Sequence, residues 1–422
     1  MFQKALFLFS LYIPLQIALS PASDIDLASL RLFSLLLFLI WLTHSLLIKK
    51  VFIPLDLSSL FLYSTLFFAL FSLFLAQMPF WGIRKILFIY SLFPIYLVFS
   101  SFVRQKGTLF IAKGLVLGSF VVSIIGIGQF IAQFIFGLDR TYAFWGRNIA
   151  PLFLGNAFSQ AVLEHPSWLV NISGNTVFRA ISVFPDPHMF SFYMGMTLPL
   201  AVFLYMGSTR SRSLYLLSAL SLLLADLLTF SRGGYLGLLA GAAVAAIIYL
   251  RNKPADQRRF SRLALGTLSL LLLLYLVPPI KDRFLASFDL NDGSNQGRIA
   301  LWKKSLDTVI ENPLGIGIGN LPLVFEPTAS YRDPIYAHNL YLDVASEMGT
   351  PALIGLLLTL ASVSYQFWKN SKTNSLHLGY LSSIAIFSTH SLVETPLYSV
   401  HVLALFFILL SFSHETIDKQ ID

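Results

Sequence analysis

Long apolar stretches alternate with short polar ones along almost the whole chain. A membrane-spanning helix needs about 20 consecutive, mostly apolar residues, and about twelve stretches of this kind are present. They lie near residues 5–20, 28–48, 57–77, 84–103, 108–136, 188–207, 212–230, 234–250, 263–279, 350–368, 376–392 and 396–413. The pattern predicts an all-α, polytopic integral membrane protein in which residues 1–422 form a single membrane domain.

The first apolar stretch is interrupted by Pro14. The start of the chain resembles the basic region of a signal peptide, but residues 20–23 make a poor cleavage site and further spans follow. We therefore expect a retained first helix.

Composition supports a membrane protein and narrows its chemistry. Hydrophobic residues make up 56% of the chain and charged residues only 12%, with a mean hydropathy of +0.73. These values are far too apolar for a soluble fold of this length. The sequence has no cysteine, which excludes disulfides, thiolate metal sites and a cysteine nucleophile.

Basic residues predict the orientation in the membrane. With a cytoplasmic N-terminus, every inner loop is basic, as the positive-inside rule requires. The inner loops then carry Lys49, Lys50, Arg104, Lys106, Arg210, Arg212, Arg251, Lys253, Arg258, Arg259, Arg262, Lys369 and Lys372. Two long connections, residues 137–187 and 280–349, are then predicted to face outward, and Arg84 and Lys85 break the pattern at one outer turn. The net charge of +8 is thus a topology signal and gives no indication of nucleic-acid binding.

The larger outer connection predicts a short amphipathic helix followed by a glycine-rich segment. Ile299, Trp302, Leu306 and Val309 recur at helical spacing, which favours a helix lying in the membrane interface. Three glycines alternate within residues 312–320, but their spacing fits neither a dinucleotide nor a P-loop motif. We expect a tight backbone crossing there.

The first candidate chemical group is an isolated histidine, His338. Asp333 and Pro334 supply an N-cap and a first-turn proline, which predicts a short helix carrying His338. On such a helix Glu347 points away from His338, so the two are not expected to form an acid–base pair. A lone histidine is most often structural; its place among aromatics before a span favours a function.

The second candidate is Arg232, which follows Ser231 at the predicted outer junction of two spans. Gly233, Gly237 and Gly241 form a ridge of small residues suited to close helix packing. An arginine near the hydrocarbon calls for an anionic partner. Either Asp226 or a bound diphosphate fits that requirement.

These segments together resemble the O-antigen ligase and O-antigen polymerase-related membrane glycosyltransferases. The resemblance covers roughly residues 175–400. It rests on four short motifs in a fixed order: Ser231-Arg232-Gly233-Gly234, Gly297-Arg298 with Trp302, Asn312-Pro313-x-Gly315-x-Gly317, and His338-Asn339-x-Tyr341 ending at Glu347-x-Gly349.

The resemblance implies a metal-independent, inverting transfer of a glycan from undecaprenyl diphosphate to an acceptor hydroxyl. It places the enzyme in the bacterial inner membrane, with its site facing the periplasm, a glycolipid acceptor, and no cofactor. Arg179, Arg232 and Arg298 would bind the diphosphate, and His338 and Arg232 would be catalytic. His338 would either take the acceptor's proton or orient the donor.

Further residues are candidates for the pocket. Asp186 and His188 lie in a proline-flanked turn, where they either line the donor site or serve structure alone. The other candidates are Asn339, Tyr341, His390 and Glu394. No D-x-D pair occurs in either of the two long outer connections, which argues against a divalent metal there.

Two alternatives stay open. An O-antigen or exopolysaccharide polymerase, joining lipid-linked repeats, would share these motifs; a ligase would use a sugar of the lipid A core as acceptor. A lipid-linked oligosaccharide flippase or other transporter would also have about twelve spans, but it should show two similar halves and charges at mid-membrane.

Overall fold

The computed structural model describes residues 2–22, 25–164, 167–172, 174–252, 278–285, 293–330 and 335–416, together with Gly266, Leu276 and Asp289. Helices dominate these residues, and two short antiparallel hairpins complete them.

The first half of the chain contains α1 (Phe2–Tyr12), β1 (Ala18–Ala22), β2 (Ile25–Ala28), α2 (Ser29–Leu47), α3 (Leu57–Phe71), α4 (Pro79–Leu92), α5 (Pro94–Lys106), α6 (Leu109–Phe136), α7 (Leu138–Phe144), α8 (Ala150–Leu154), α9 (Asn156–Glu164), β3 (Leu169–Ile172), β4 (Asn175–Phe178) and α10 (Pro187–Gly207).

The second half contains α11 (Arg212–Leu227), α12 (Arg232–Asn252), α13 (Pro278–Leu285), α14 (Gly293–Glu311), α15 (Leu321–Phe325), α16 (Leu340–Met348), α17 (Thr350–Asn370), α18 (Leu376–His390) and α19 (Val400–Ser411).

Seven helical segments among the described residues are long and apolar enough to cross a membrane. They are Ser29–Leu47, Leu57–Leu75, Pro79–Lys106, Leu109–Phe136, Pro187–Gly207, Arg232–Arg251 and Thr350–Asn370. The chain is thus an all-α membrane protein, and shorter apolar helices accompany these segments. The predicted span at residues 263–279 lies largely outside the described residues, so the total of twelve stays a prediction.

The first predicted span is shorter than expected. Helix α1 ends at Tyr12, a single 3₁₀ turn covers Ile13–Leu15, and the chain then enters the β1–β2 hairpin. Pro14 accounts for this end, because proline lacks the amide hydrogen that a continuing α-helix needs. The expected helix through residue 20 is therefore wrong.

Helix α12 packs closely along α18 through the predicted glycine ridge. A Cβ atom on Gly233 would lie 2.4 Å from the His390 ring, and one on Gly241 would lie 2.5 Å from Ile386. Such distances leave no room for a larger side chain at either glycine. The close approach brings the N-terminus of α12, at Arg232, beside the C-terminus of α18, at His390.

The glycine-rich segment is a tight crossing, as the sequence predicts. Gly315, Gly317 and Gly319 all have positive φ angles, and the amide of Gly317 donates to the carbonyl of Glu347 at 3.0 Å. A Cβ atom on Gly317 would lie 2.4 Å from the Cα of Ala76. The segment thus passes between α16 and the turn that joins α3 to α4.

Helix α14 forms where the amphipathic pattern predicts it, and the residues that it buries against the protein are polar. Ile299 and Leu306 are exposed, whereas Ser305 and Thr308 are buried. The reason is contact with α16, where the Ser346 hydroxyl donates to the Ser305 carbonyl. Ile299 and Leu306 thus face away from the protein, and the placement of this helix in the membrane interface stays a prediction.

Candidate functional site

His338 lies immediately before a helix rather than on it. Helix α16 starts at Leu340, and the Asn339 side chain caps it by accepting from the amides of Tyr341 and Leu342. His338 has a left-handed backbone with φ of 51°. The expected helix carrying His338 is therefore wrong, because the cap residue follows the histidine. The predicted cap at Asp333 and Pro334 lies outside the described residues.

Glu394 is the centre of the charged cluster at this end of the helices. Its carboxylate accepts from His338 Nδ1 at 3.0 Å and from the Arg298 guanidinium at 2.8 Å. His188 Nε2 lies 3.7 Å from the same carboxylate. The Glu394 side chain is only 9% exposed, whereas that of His338 is 35% exposed. His338 is therefore the member of the pair that solvent and ligands reach.

Two further side chains continue the cluster into the protein. His188 Nδ1 lies 3.0 Å from the Ser231 hydroxyl, which lies 3.3 Å from His390 Nε2. The His390 ring stacks on Phe192 with 3.6 Å between ring centroids. Three residues predicted for the pocket, Glu394, His188 and His390, thus belong to one connected group.

The Arg232 side chain contacts Asn295 and not Asp226, the partner that the sequence suggests within the protein. Its guanidinium donates to the side-chain carbonyl of Asn295, on α14, at 3.1 Å. Asp226 instead accepts from the Ser191 hydroxyl. The suggested Arg232–Asp226 pair is thus not formed. Asn295 and Arg298 lie one helical turn apart on α14, so this helix links Arg232 to the Glu394 cluster.

Arg179 is buried, with only 5% of its surface exposed. Its Nε donates to the Thr229 carbonyl at 2.6 Å, and within the described residues its Nη2 has no hydrogen-bond partner. Gln129 and Gln133 fix the backbone on either side by bonding to the peptide groups of residues 178–182. The guanidinium is held rigidly beside the segment that precedes Arg232.

Asp186, Asn339 and Tyr341 have structural partners. Asp186 caps α10 by accepting from the amides of His188 and Met189. The Asn339 amide group donates to the Leu392 carbonyl, and the Tyr341 hydroxyl donates to the Ser388 carbonyl. These contacts hold the segments that carry His188, His338 and Glu394, and they account for all three residues without a ligand.

Asp343 is a site residue that the sequence did not indicate. It is buried on α16, where it accepts from the Ala337 amide at 2.9 Å and from the Thr395 hydroxyl. Ala337 and Thr395 are the direct neighbours of His338 and Glu394 in the chain. One carboxylate therefore ties together the two segments that form the His338–Glu394 pair.

A second ion pair lies at the same end of the helices. Lys85 Nζ lies 3.0 Å from the Glu347 carboxylate, which also accepts from the Tyr398 hydroxyl at 3.1 Å. Glu347 thus ties α16 to α4 and does not pair with His338, as expected. The ion pair with Glu347 explains why a basic residue occurs at this outer turn, where the positive-inside rule predicts none.

The electrostatics follow from these contacts. Burial would raise the pKa of the Glu394 carboxyl, but His188, His338 and Arg298 hold that pKa well below its usual range. Burial would lower the pKa of the His338 imidazole, but Glu394 raises the pKa above its ordinary value. Burial raises the pKa of Asp343 to about 6 and lowers that of Arg179 to about 10.

The pair is arranged to accept a proton. Because the Glu394 carboxylate can only accept, His338 Nδ1 carries the shared hydrogen, and the neutral ring then has its lone pair on Nε2.

Within the described residues no group of three histidine, aspartate or glutamate side chains is arranged to hold a metal ion. Metal independence stays a prediction.

Residues 216–357 match the family model described as O-antigen ligase. The resemblance seen in the sequence is thereby confirmed, over a segment that contains Arg232, Arg298 and His338. No curated protein matches the chain. Arg179, His188, His390 and Glu394 lie outside the matched segment, and the fold joins His188, His390 and Glu394 to it.

Proposed function

We propose that this chain, which is related to the O-antigen ligases through residues 216–357, moves a glycan from undecaprenyl diphosphate to the hydroxyl of a glycolipid acceptor. The observation that carries the proposal is the contact of one buried carboxylate, Glu394, with both His338 and Arg298. Glu394 thereby connects His338, proposed as the base that deprotonates the acceptor, to Arg298, proposed as a cation that stabilises the leaving group.

His338 is proposed as the general base. Glu394 fixes the ring through Nδ1 and stabilises the imidazolium that forms when Nε2 takes the acceptor's proton. The pKa of His338, raised by Glu394, keeps the group effective near neutral pH. This arrangement favours the base over the alternative role of His338, orienting the donor.

The arginines are proposed to bind the diphosphate. Expelling the lipid diphosphate leaves negative charge on its oxygens, and guanidinium groups offer bidentate hydrogen bonds to phosphate. Arg179, Arg232 and Arg298 lie on three segments held around Ser231 and Glu394, and Arg179 Nη2 has a free donor among the described residues. Fixed cations at that place would stabilise the transition state.

The reaction proposed is a single displacement. The acceptor oxygen forms a bond to the anomeric carbon as its proton moves to His338 Nε2, and the bond to the diphosphate oxygen breaks with its electrons. Attack on the face opposite the leaving group inverts the anomeric centre. The three guanidinium groups supply the positive charge for the leaving group, so the proposal needs no metal.

The site faces the periplasm in this proposal, and the orientation of the basic loops supports that side. The position of the charged cluster, at helix ends such as Arg232 and His390, favours an interfacial enzyme over a transporter. A polymerase would use the same groups with a lipid-linked repeat as acceptor, so the acceptor identity decides between the two enzymes.

The test is complementation of a deletion strain with the wild-type protein, His338→Ala, Glu394→Gln or the control His44→Ala, followed by separation of surface glycans by chain length. His44 is an exposed imidazole on α2, and within the described residues its side chain makes no hydrogen bond or ion pair with the cluster. We expect the first two variants to lose transfer while the protein remains in the membrane, and the control to complement.

The products separate the remaining possibilities. Long polymer on undecaprenyl diphosphate beside bare lipid A core in the deletion strain identifies a ligase. Single unpolymerised repeats identify a polymerase. Unchanged surface glycan in His338→Ala would overturn the proposed chemistry.

A further inference from the structure

The proposed chemistry leaves the segment from α7 to α8 without a role. It contains Arg140 and Arg147, two basic residues on the outer connection, where the charge pattern predicts few. The segment runs through α7, a short π-helical stretch at Trp145–Ile149, and α8.

One face of this segment is fixed to the site. The Trp145 indole donates to the Ser182 carbonyl at 2.7 Å, and the Tyr142 hydroxyl donates to the Val162 carbonyl at 2.9 Å. Ser182 belongs to the buried segment that also carries Arg179. The exposed face of α7 and α8 is therefore held at a set position relative to the diphosphate-binding arginines.

The other face combines charge with apolar surface. Arg140, Phe144, Arg147 and Leu152 are all exposed, with Phe144 at 54% and Leu152 at 52%. No ion pair to either arginine occurs among the described residues, although Asp139 lies beside Arg140 in the first turn. We name this exposed set of four residues the α7–α8 stripe.

The α7–α8 stripe follows directly on α6, a helix that is long and apolar enough to cross a membrane. The last turn of α6 exposes Phe134, Ile135 and Phe136 at 68%, 68% and 64%, and Gly137 then turns the chain into α7. Such exposed aromatic and aliphatic side chains suit the edge of the lipid region. The stripe thus continues an apolar surface at the level of lipid headgroups, a setting that suits an interfacial helix with basic and apolar residues.

We propose that the α7–α8 stripe docks the acceptor glycolipid, with Arg140 and Arg147 on its phosphate groups and Phe144 and Leu152 among its acyl chains. The proposal rests on the proposed function. The two arginines are seven residues apart in sequence, or about 10 Å along a helix. That separation suits one headgroup with more than one phosphate, whereas a phospholipid with a single phosphate engages one guanidinium at a time.

The experiment measures transfer by the full-length protein in lipid nanodiscs of neutral lipid. The acceptor probes are a glycolipid that carries core sugars on a disaccharide with two phosphates, and the dephosphorylated form of the same glycolipid. The variants are Arg140→Gln/Arg147→Gln, the charge-preserving Arg140→Lys/Arg147→Lys, and a control pair at the other end of the helices, Arg210→Gln/Arg212→Gln.

We expect the double glutamine variant to raise KM for the phosphorylated acceptor at least tenfold. The kcat at saturating acceptor and the KM for the donor stay unchanged, because Arg140 and Arg147 lie outside the reacting cluster. The KM of the lysine variant for the phosphorylated acceptor lies between those of the wild type and the glutamine variant, because lysine keeps the charge but loses bidentate contacts. The control variant Arg210→Gln/Arg212→Gln keeps the wild-type KM for the phosphorylated acceptor. With the dephosphorylated acceptor, all variants and the wild type have the same KM.

An unchanged KM for the phosphorylated acceptor in the double glutamine variant would overturn the proposal. So would an equal loss with the dephosphorylated acceptor, or a loss that appears only when phosphatidylglycerol is added, since bulk acidic lipid would then be what the stripe binds. Retention of each radiolabelled glycolipid by the detergent-solubilised full-length protein measures binding without transfer. If the wild type binds the phosphorylated glycolipid but transfers no glycan to it, the proposed function is rejected. The docking surface is then still supported, because binding depends on the phosphates.

Discussion

Asp343 and Thr395 join the two segments that bear His338 and Glu394. The Thr395 hydroxyl donates to one oxygen of the buried Asp343 carboxylate, and the amide of Ala337 donates to the other. His338 and Glu394 are the adjacent residues of these segments. Asp343 therefore acts on the pair as a positioning residue, without touching the imidazole.

Replacing Asp343 by alanine is expected to lower kcat by about 100-fold, the order of loss that a small misplacement of a catalytic group produces. The donor KM should change little, because within the described part of the chain Asp343 accepts from Ala337 and Thr395 and from none of the three arginines. Steady-state kinetics with varied donor measures both. Asp343→Asn keeps an acceptor oxygen and should recover part of the rate; equal loss in both variants, with equal loss of folded protein, would assign Asp343 a structural role only.

The stability of the wild type should depend on the ionisation of Asp343. Its pKa in the folded protein is raised by burial to about 6, above its value in the unfolded chain. The contribution of this group to stability is thus fully present below about pH 4 and is lost as pH rises through about 6. Asp343→Asn cannot ionise, so its melting temperature relative to wild type should rise across this window and level off above it. A constant difference from pH 4 to 7 would contradict the assignment.

The pH dependence of transfer tests the role of Glu394. A general base must be unprotonated, so kcat/KM should rise as pH increases through the pKa of His338, which Glu394 raises above its ordinary value. Glu394→Gln removes the negative charge, and the acidic limb should move to lower pH. The plateau should fall by about 100-fold, within the range typical of general acid–base catalysis. An acidic limb that stays in place would exclude His338 as the titrating base.

Arg179 should govern affinity for the diphosphate. Its buried Nη2 has no partner among the described residues, so a bound phosphate oxygen would satisfy that donor. We expect Arg179→Lys to weaken inhibition by inorganic diphosphate at least tenfold, since lysine loses the planar fork. Arg84→Lys is the matched control, because Arg84 is exposed and lies against Phe80 on α4. Equal inhibition of both variants would remove Arg179 from the donor site.

The sequence predicts much of the helical framework because apolar length is a local property. The glycine crossing was also predictable, since Gly315, Gly317 and Gly319 follow one another in a pattern that fits no ligand loop. The end of α1 at Tyr12 does not follow from apolar length, because the apolar stretch continues past Pro14 to about residue 20.

The site was only partly predictable, because its central contact joins distant parts of the chain. His338 and Glu394 are 56 residues apart, and His188 lies far from both. Short motifs indicate Arg298 and His338, but no local pattern shows that one carboxylate, Glu394, connects them to His188. Asp343 gave no signal at all, since an isolated acid within an apolar segment has no distinctive spacing.

Lys85 and Glu347 offer a test of how the site is supported. The pair is largely buried, with Lys85 21% and Glu347 3% exposed, and the ammonium also lies 4.1 Å from the centre of the Tyr398 ring. Removing one partner leaves an uncompensated charge and should cost about 3 kcal/mol, whereas removing both costs less. Lys85→Met and Glu347→Gln should therefore each lower the melting temperature more than the double variant does. The cycle needs only unfolding curves in detergent, and strictly additive losses would show that the ion pair does not hold α16 against α4.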